Sequence, residues 1–256
     1  MSGSTQLKRV RALHRRKERE EQGLFLVQGR KLVGELLKSS MEVLEIYATA
    51  DPVREMGLEG GTEPGPEMAN TTVSILPAHD LDRMGTLHSG NEVLAVVRIP
   101  TATELRLPVV GMFNLALDGV SDPGNLGTLL RIADWFGATQ VWCAGGVDPY
   151  NPKAVQSSMG SLFRLVPCAV EDLPGALAQA HASKVSVYKA EASGENVFAY
   201  GVKKPCILVM GSESHGLSEG VRAAPGISIS IPGHGGAESL NVAAAAAALC
   251  MEIIRP

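Results

Sequence analysis

The stretch DGVSDPGNLGTLLRIADWFG, residues 118–137, decides the fold of this chain. It follows a hydrophobic run at residues 112–117 that predicts a buried strand, and it breaks that strand at a DPG turn. A helix-period pattern then begins, with apolar side chains on one face: Leu126, Leu129, Leu130, Ala133 and Phe136. Asn125 and Gly127 lie where this helix opens, and Arg131 follows within its first two turns. The combination predicts an anion-binding site, because free N–H groups point out of a helix N-terminus.

The composition is that of an ordinary globular protein. Of 256 residues, 45% are hydrophobic and 20% are charged. A chain of this length is able to form one large domain or two smaller ones, each with its own core. No apolar run reaches the roughly 18 residues that cross a bilayer, and the N-terminus is too polar for a signal peptide, so we expect no membrane partner. The four cysteines are far apart and lack C-x-x-C spacing: Cys143, Cys168, Cys206 and Cys250. They predict a reduced, cytoplasmic protein with buried thiols and no metal.

The charges are distributed unevenly along the chain. The net charge is −4, but residues 1–23 carry seven basic and three acidic side chains, a net of +4, which leaves −8 on the remainder. The basic ones are Lys8, Arg9, Arg11, Arg15, Arg16, Lys17 and Arg19. Residues 1–22 are therefore a candidate basic arm that attracts a polyanion. The solvated face of a charged helix over residues 5–22 explains the same charges equally well.

Periodicity divides the rest of the chain into two domains. Residues 23–99 predict a small α/β domain with a Gly-, Pro- and Glu-rich loop at 51–70. Residues 100–110 have two prolines and little periodicity, and we expect a linker there. Residues 111–256 predict an α/β fold, a mostly parallel sheet with helices on both faces. Besides residues 112–117, strands are predicted at 24–27, 43–48, 71–76, 92–99, 139–143, 184–189, 206–210 and 227–231.

A second stretch, LVMGSESHGLS at residues 208–218, leaves the end of a very apolar predicted strand. Ligands of open α/β sheets bind outside the carboxyl ends of strands, which favours Gly211, Glu213 and Gly216 as ligand contacts. A glycine-rich turn with only a structural role is the favoured explanation of the loop when it is taken alone. The neighbouring serine and histidine also suggest a hydrolase, but a nucleophile elbow needs G-x-S-x-G, and this loop has a different spacing.

A third stretch, ISIPGHGGAESLNVAAAAAALC at residues 229–250, leads from a strand through three glycines into an alanine-rich helix. That helix is predicted over residues 239–254. Ser239 and Asn241 suit its N-cap, and its N-terminus is able to hold a carboxylate or face a cofactor. The alanines allow close packing, so the helix is a candidate subunit contact, with packing in the core as the equal alternative.

In this order and spacing, the three stretches resemble the motifs of the SpoU (TrmH-type) family of the SPOUT superfamily, whose members are RNA ribose 2′-O-methyltransferases. The resemblance covers residues 112–254, and residues 148–165 are also family-like, although Gln156 stands where many relatives are basic. The matching positions are Asn125, Gly127 and Arg131, then Gly211, Glu213 and Gly216, then Ile231, Pro232, Ser239, Leu240 and Asn241. More loosely, residues 23–98 look like the small substrate-binding domain of the ribosomal-RNA members.

The resemblance implies a trefoil knot over about residues 206–254, a homodimer with the helix at 243–248 as a candidate contact, and S-adenosyl-L-methionine as the cofactor without a metal. It implies cofactor binding by Met210, Gly211, Glu213, Gly216, Ile231, Pro232, Ser239 and Leu240. It implies that the catalytic residues are Arg131, Asn125, Glu213, Ser239 and Asn241.

Two roles stay open for Arg131. It either assists removal of the ribose 2′-hydroxyl proton or, because guanidinium stays protonated, clamps an RNA phosphate and stabilises the developing alkoxide. Asn125 is expected to orient Arg131 or the ribose, and Glu213 to position neighbouring loops or Arg131.

RNA contacts are expected mainly with phosphates. The candidate residues are Lys8, Arg9, Arg11, Arg15, Arg16, Arg30 and Lys31. Ribosomal RNA is the favoured substrate, because transfer-RNA members of the family usually lack such a front domain. The alternatives are methylation of transfer RNA, or a catalytically silent RNA-binding or ribosome-assembly protein with the same fold.

Overall fold

The computed structural model of the protein describes residues 3–58, 71–86 and 91–255. Before residue 102, its helices are α1 (Gly3–Ala12), α2 (Arg16–Gln22), α3 (Arg30–Leu36), α4 (Ala50–Glu55) and α5 (Ala78–Met84). The strands of this part are β1 (Leu24–Gln28), β2 (Val43–Ala48), β3 (Thr72–Ile75) and β4 (Val93–Arg98), so each strand predicted here is present. The predicted loop at 51–70 is wrong at its start, where α4 forms, and its residues 59–70 lie outside the described residues.

After residue 102, the strands are β5 (Phe113–Asp118), β6 (Val141–Ala144), β7 (Cys168–Ala169), β8 (Ser186–Asn196), β9 (Cys206–Gly211) and β10 (Ile227–Ser230). The helices are α6 (Pro123–Phe136), α7 (Pro152–Ser158), α8 (Ser161–Arg164), α9 (Leu173–Ala182), α10 (Val197–Tyr200), α11 (Glu219–Ala223) and α12 (Val242–Ile254). The sequence missed α8, α10 and α11, which are too short to show a helical period. Across the described ranges, no helix is long and apolar enough to cross a membrane.

The chain forms two compact units, Met1–Thr101 with Tyr150–Phe163, and Ala102–Pro149 with Arg164–Pro256. The sheet of the first unit has the strand order β1-β4-β2-β3. In it β4 runs antiparallel to both β1 and β2, while β2 and β3 are parallel. The carboxyl ends of β1, β2 and β3 therefore lie at one edge of this sheet.

The N-terminal residues are part of the first unit. The single helix predicted over residues 5–22 is wrong, because α1 ends at Ala12 and α2 begins at Arg16. Leu7, Val10 and Leu13 are buried in a core cluster with side chains of α5 and of the sheet. Arg19 is buried and donates to the Leu13 and His14 carbonyls, whereas the other basic residues of the proposed arm lie on the polar face of a packed helix pair.

The segment Tyr150–Phe163 is part of the first compact unit, although it lies within the predicted domain at 111–256. The Tyr150 ring lies 4.9 Å from the ring of Phe25 on β1, and α7 packs against that strand. All five residues of β1 are buried. Sequence patterns could not show this membership, because it depends on contacts between residues more than a hundred positions apart.

The sheet of the second unit has six strands in the order β10-β8-β9-β5-β6-β7, and each pairing is parallel. From β5 the chain first adds β6 and β7 on one side, then returns to add β8, β9 and β10 on the other. Residues such as Ile207, Leu208 and Val209 of β9 are fully buried, as in a central parallel strand. The predicted fold class is confirmed.

The expected linker at 100–110 lacks regular structure, but its second half lies on the second unit. Leu105 and Leu107 pack against the core there. The Gln140 side chain accepts a hydrogen bond from the Arg106 N–H (2.9 Å) and donates one to the Glu104 carbonyl (2.7 Å). These contacts hold the segment against the sheet.

Candidate active site

The candidate site lies where the strand order of the second unit reverses. β5 and β9 are neighbours in register, with Asp118 opposite Gly211 at their carboxyl ends. The chain leaves β5 toward one side of the sheet and β9 toward the other. Such a switch point leaves a crevice between the two outgoing loops, which is where open α/β sheets bind ligands.

The loop after β5 ends in a well-capped helix. The Asp122 carboxylate is the N-cap of α6 and accepts a hydrogen bond from the Asn125 N–H (2.8 Å), and Pro123 occupies the first turn. Proline is favoured there because its missing N–H is not needed. This local structure fixes the main chain of Asn125 and directs its side chain out of the helix N-terminus.

The loop after β9 forms a tight turn that folds back on its own strand. A bridge joins Ser212 to Gly216, which has a φ of +66°. A Cβ on Gly211 would lie 2.3 Å from the Gly216 carbonyl carbon, so this approach requires glycine. The buried Asp118 carboxylate accepts a hydrogen bond from the Ser218 N–H (2.6 Å) and ties the far end of the turn to β5.

Side chains from the three sequence motifs meet at Asn125. Its Nδ2 donates to Glu213 Oε1 (2.6 Å), and its Oδ1 accepts from Asn241 Nδ2 (3.2 Å). Asn241 also caps α12 by accepting from the Ala243 N–H (2.9 Å). The predicted alanine helix therefore begins at Val242 rather than at Ser239. One asparagine thus joins the β9 turn to the N-termini of α6 and α12.

Arg131 lies on the exposed face of α6. It lines a surface groove of about 440 Å³ with Thr128, Ile132, Trp135 and Phe136. Among the described residues it makes no hydrogen bond or ion pair, so no bond links it to Asn125 or Glu213. Its guanidinium is available to an anion from solution, and its side-chain orientation is not fixed by the protein.

The candidate cofactor residues differ in exposure. Met210 and Gly211 are buried, so a cofactor would contact their main-chain groups. Ile231 and Pro232 are half-buried. Ser239 is exposed, and the Leu240 side chain is 55% exposed, which makes it the large apolar surface beside the N-terminus of α12.

The candidate RNA-binding residues of the first unit fall into two groups. Four of them form ion pairs within the unit: Arg9 with Glu45, Arg15 with Glu18, Arg16 with Glu20, and Arg30 with both Glu55 and Glu92. The other three, Lys8, Arg11 and Lys31, are exposed and have no ion pair in the described part of the chain. The second group is the one that is free to contact phosphates.

The four cysteines are free thiols. Burial raises the pKa of Cys206 and Cys250 to about 12, so these two stay protonated and unreactive near neutral pH. In the described part of the chain, no group of three or more His, Cys, Asp or Glu side chains is placed to hold a metal ion.

Sequence reasoning did not identify several residues that shape the site. Asp118 and Asp122 lie within the stretch 118–137. They could have been found from the sequence, because carboxylates next to a turn are typical helix caps. Trp135 lies at helical spacing from Arg131, and its 81% exposure is visible only in the fold. Arg222, which donates to the His215 carbonyl in the β9 turn, and Lys189, which donates to the Arg222 carbonyl, carried no local signal.

Comparison with known proteins covers both units. Residues 112–251 match the SpoU rRNA Methylase family, and residues 4–76 match the MRM3-like substrate binding domain. The second match includes the predicted basic arm.

Two relatives differ in how much of their length is matched. The chain is 38% identical over 172 residues to the 23S rRNA (uridine(2479)-2′-O)-methyltransferase of Streptomyces viridochromogenes, covering 64% of this chain and 60% of the relative. It is 31% identical over 239 residues to the 23S rRNA (guanosine(2553)-2′-O)-methyltransferase RlmP of Bacillus subtilis, covering 93% of this chain and 91% of that protein.

A solved structure is similar along nearly the whole chain. The SpoU methyltransferase AviRb of Streptomyces viridochromogenes, crystallised with its cofactor AdoMet, superposes with a TM-score of 0.82 at 29% identity. The match covers 97% of this chain and 96% of that one. The family indicated by the three motifs is thereby confirmed: this chain belongs to the SpoU rRNA methylase family.

Proposed function

We propose that the protein transfers a methyl group from S-adenosyl-L-methionine to a ribose 2′-hydroxyl of ribosomal RNA. The observation that carries this proposal is the junction at Asn125, which joins Glu213 and Asn241 at the switch point of the sheet. Family membership supports the reaction class, and the two 23S rRNA relatives support the substrate class.

We assign S-adenosylmethionine to the crevice beyond the carboxyl end of β9. Gly211 and Gly216 present main-chain groups, Ile231 and Leu240 present apolar surface for an adenine ring, and Glu213 keeps one carboxylate oxygen without a hydrogen bond inside the described structure. That free oxygen, Oε2, suits a cationic ligand. Met210, Pro232 and Ser239 complete the proposed cofactor site. When bound, the cofactor supplies a methyl group on a positively charged sulfur atom.

The protein's own contribution is alignment and charge. A ribose hydroxyl is a weak nucleophile, so its oxygen must be held in line and the charge that develops on it must be stabilised. Arg131 is suited to this because its guanidinium is exposed and unpaired among the described residues. We assign to it the clamping of an RNA phosphate and stabilisation of the alkoxide. Asn125 and Asn241 hold Glu213 and the N-terminus of α12 in place.

We further propose a homodimer in which α6 and α12 contact a second copy. These helices pack on each other, and both expose large apolar side chains, Trp135 (81%) and Met251 (62%). Exposed apolar surface of this kind is typical of an interface. The alanines at 243–248 are less suitable as a contact with a second copy, because Ala243 and Ala246 are buried within the protomer. Sedimentation of the wild type as a dimer, and of Trp135→Asp as a monomer, is the expected result.

Two further expectations are based on family membership. They are a trefoil knot in the C-terminal part of the second unit and a cytoplasmic location, which the protonated buried thiols suit. Ribosomal RNA is preferred over transfer RNA because residues 4–76 match the MRM3-like substrate binding domain and the two curated relatives are 23S rRNA methyltransferases.

The test is transfer of labelled methyl groups to unmodified total RNA, separated into ribosomal and transfer fractions. Arg131→Ala is assayed beside Arg106→Ala, a matched control that removes another exposed arginine of the same unit. Label in ribosomal RNA that is lost only with Arg131→Ala supports the proposal. Label in transfer RNA overturns the substrate class. The absence of both label and cofactor binding by calorimetry overturns the reaction.

A further inference from the structure

A cluster of three charged side chains and one serine lies next to the β9 turn, on the β8 side of β9. It consists of Lys189 and Glu191 on β8, Arg222 on α11 and Ser228 on β10. Lys189 is only 5% exposed, although lysine is rarely buried without a carboxylate partner. No residue of this cluster belongs to the three sequence motifs, and the proposed reaction gives none of them a role.

The Lys189 ammonium group fixes the end of α11. Its Nζ donates to the carbonyl oxygens of Arg222 (2.8 Å) and Ala224 (2.9 Å). The last carbonyls of a short helix have no partner inside the helix, and a cation is the favoured group there. The main chain of Arg222 is therefore held to β8 by a buried charge.

The Arg222 side chain connects this anchor to the turn. Its Nε donates to Glu191 Oε1 (3.1 Å), and its Nη2 donates to the His215 carbonyl (3.2 Å). Glu191 is itself held by a hydrogen bond from the Ser228 hydroxyl. A Cβ on Gly216 would lie 3.2 Å from Arg222 Nη2, so the guanidinium lies directly against the turn.

The turn has few other constraints on this side. Residues 213–216 are exposed, and the Ser212–Gly216 bridge is made by the turn with itself. Glu213 is held from the opposite side by Asn125. Among the described residues, the Arg222 guanidinium donates the hydrogen bond that ties the middle of the turn, at His215, to α11 and, through Glu191, to β8.

We propose that Arg222 is a positioning residue for cofactor binding, held in place by Lys189 and Glu191. This inference rests on the proposed function, in which the main chain of the turn contacts S-adenosylmethionine. A turn that is already ordered loses less conformational entropy when the ligand binds, so the contact raises cofactor affinity without touching the cofactor. RNA binding, which we assign to other residues, does not depend on it.

The test is calorimetry of S-adenosylmethionine with the full-length wild type, Arg222→Ala, Arg222→Lys and Glu191→Gln. We expect about fivefold weaker binding for Arg222→Ala, a modest factor because the ion pair is half-exposed. Glu191→Gln keeps a hydrogen-bond acceptor and is expected to bind more tightly than Arg222→Ala. Arg222→Lys retains a cationic donor and is expected to recover part of the affinity. The Michaelis constant for RNA should stay at the wild-type value.

Arg164→Ala is the matched control. Arg164 is also an ion-paired arginine of the second unit, with a side chain 48% exposed against 52% for Arg222. We expect cofactor affinity within twofold of the wild type for this variant. Equal affinity of Arg222→Ala and Arg164→Ala, or equal losses of cofactor and RNA affinity in Arg222→Ala, would overturn the inference. Failure of the wild type itself to bind the cofactor would instead overturn the proposed function.

Discussion

Most of the candidate RNA-binding arginines of the first unit are paired with acids, whereas the candidate catalytic arginine of the second unit is not. In the first unit, Arg30 pairs with Glu55 and Glu92, and Arg9 pairs with Glu45, so most of the positive charge is neutralised locally. In the second unit, Arg131 is exposed and unpaired among the described residues, while the uncharged side chains of Asn125 and Asn241 are the ones that bond to each other. A count of basic residues therefore locates positive charge but does not locate the cations that are free to bind RNA.

Replacing a glycine with alanine is expected to change stability in opposite directions in the two units, and this is the largest effect that we predict. Gly211→Ala places a Cβ 2.3 Å from the main chain of Gly216, and we expect it to destabilise the protein by about 3 kcal/mol. Gly34→Ala in α3 meets no atom within 4 Å, and the higher helix propensity of alanine should stabilise the protein by about 0.5–1 kcal/mol. Urea denaturation measures both. Wild-type stability of Gly211→Ala would show that the β9 turn does not approach its strand this closely.

The sequence predicted the fold better than it predicted the contacts of the site. The buried strands β5 and β9 were visible because fully buried strands are continuous apolar runs, and Asn125, Glu213 and Asn241 were named from the three motifs. Their mutual hydrogen bonds join residues 88 and 116 positions apart, which no local pattern encodes. For the same reason, the sequence did not show which acids pair with Arg30, because one of them, Glu92, is 62 positions away.

The junction at Asn125 provides the next largest effect. Asn125→Ala removes both side-chain bonds but keeps the main-chain bond to Asp122, so the helix should still form. We expect kcat/KM for methyl transfer to fall about a hundredfold, as when one preorganised group is lost from an active site. The control is Asn196→Ala, which removes the cap of α10 without any bond to the site. It should cost about 1 kcal/mol of stability and leave kcat/KM unchanged.

A smaller effect separates free from paired cations within the first unit. Replacing Lys8, Arg11 and Lys31 together with alanine should lower the slope of log K for RNA binding against log salt by about 2 to 3, because each free cation displaces counterions. Replacing the ion-paired Arg15, Arg16 and Arg30 together should change the slope by less than about 1. Filter binding between 50 and 200 mM salt, roughly the range where the slope is steep, measures both. Equal slopes for the two triple variants would remove the distinction between paired and free cations.

The smallest effect concerns His14, an exception to the pairing of charges in the first unit. Its Nε2 donates to the Met84 carbonyl (2.8 Å), while burial, followed by the charges of Arg11 and Arg19, lowers its pKa from the usual 6.5. Because the unfolded chain then binds a proton more readily than the folded one, protonation of His14 does not affect the free energy of unfolding above about pH 6.5 and reduces it as the pH falls through the lowered pKa. The group is half-exposed, so we expect a loss of only about 0.5 kcal/mol. Between pH 7.5 and 5.5, the free energy of unfolding should fall less in His14→Gln than in the wild type. Identical pH dependence of the two proteins would show that the site of His14 beside α5 tolerates a third positive charge, in addition to Arg11 and Arg19.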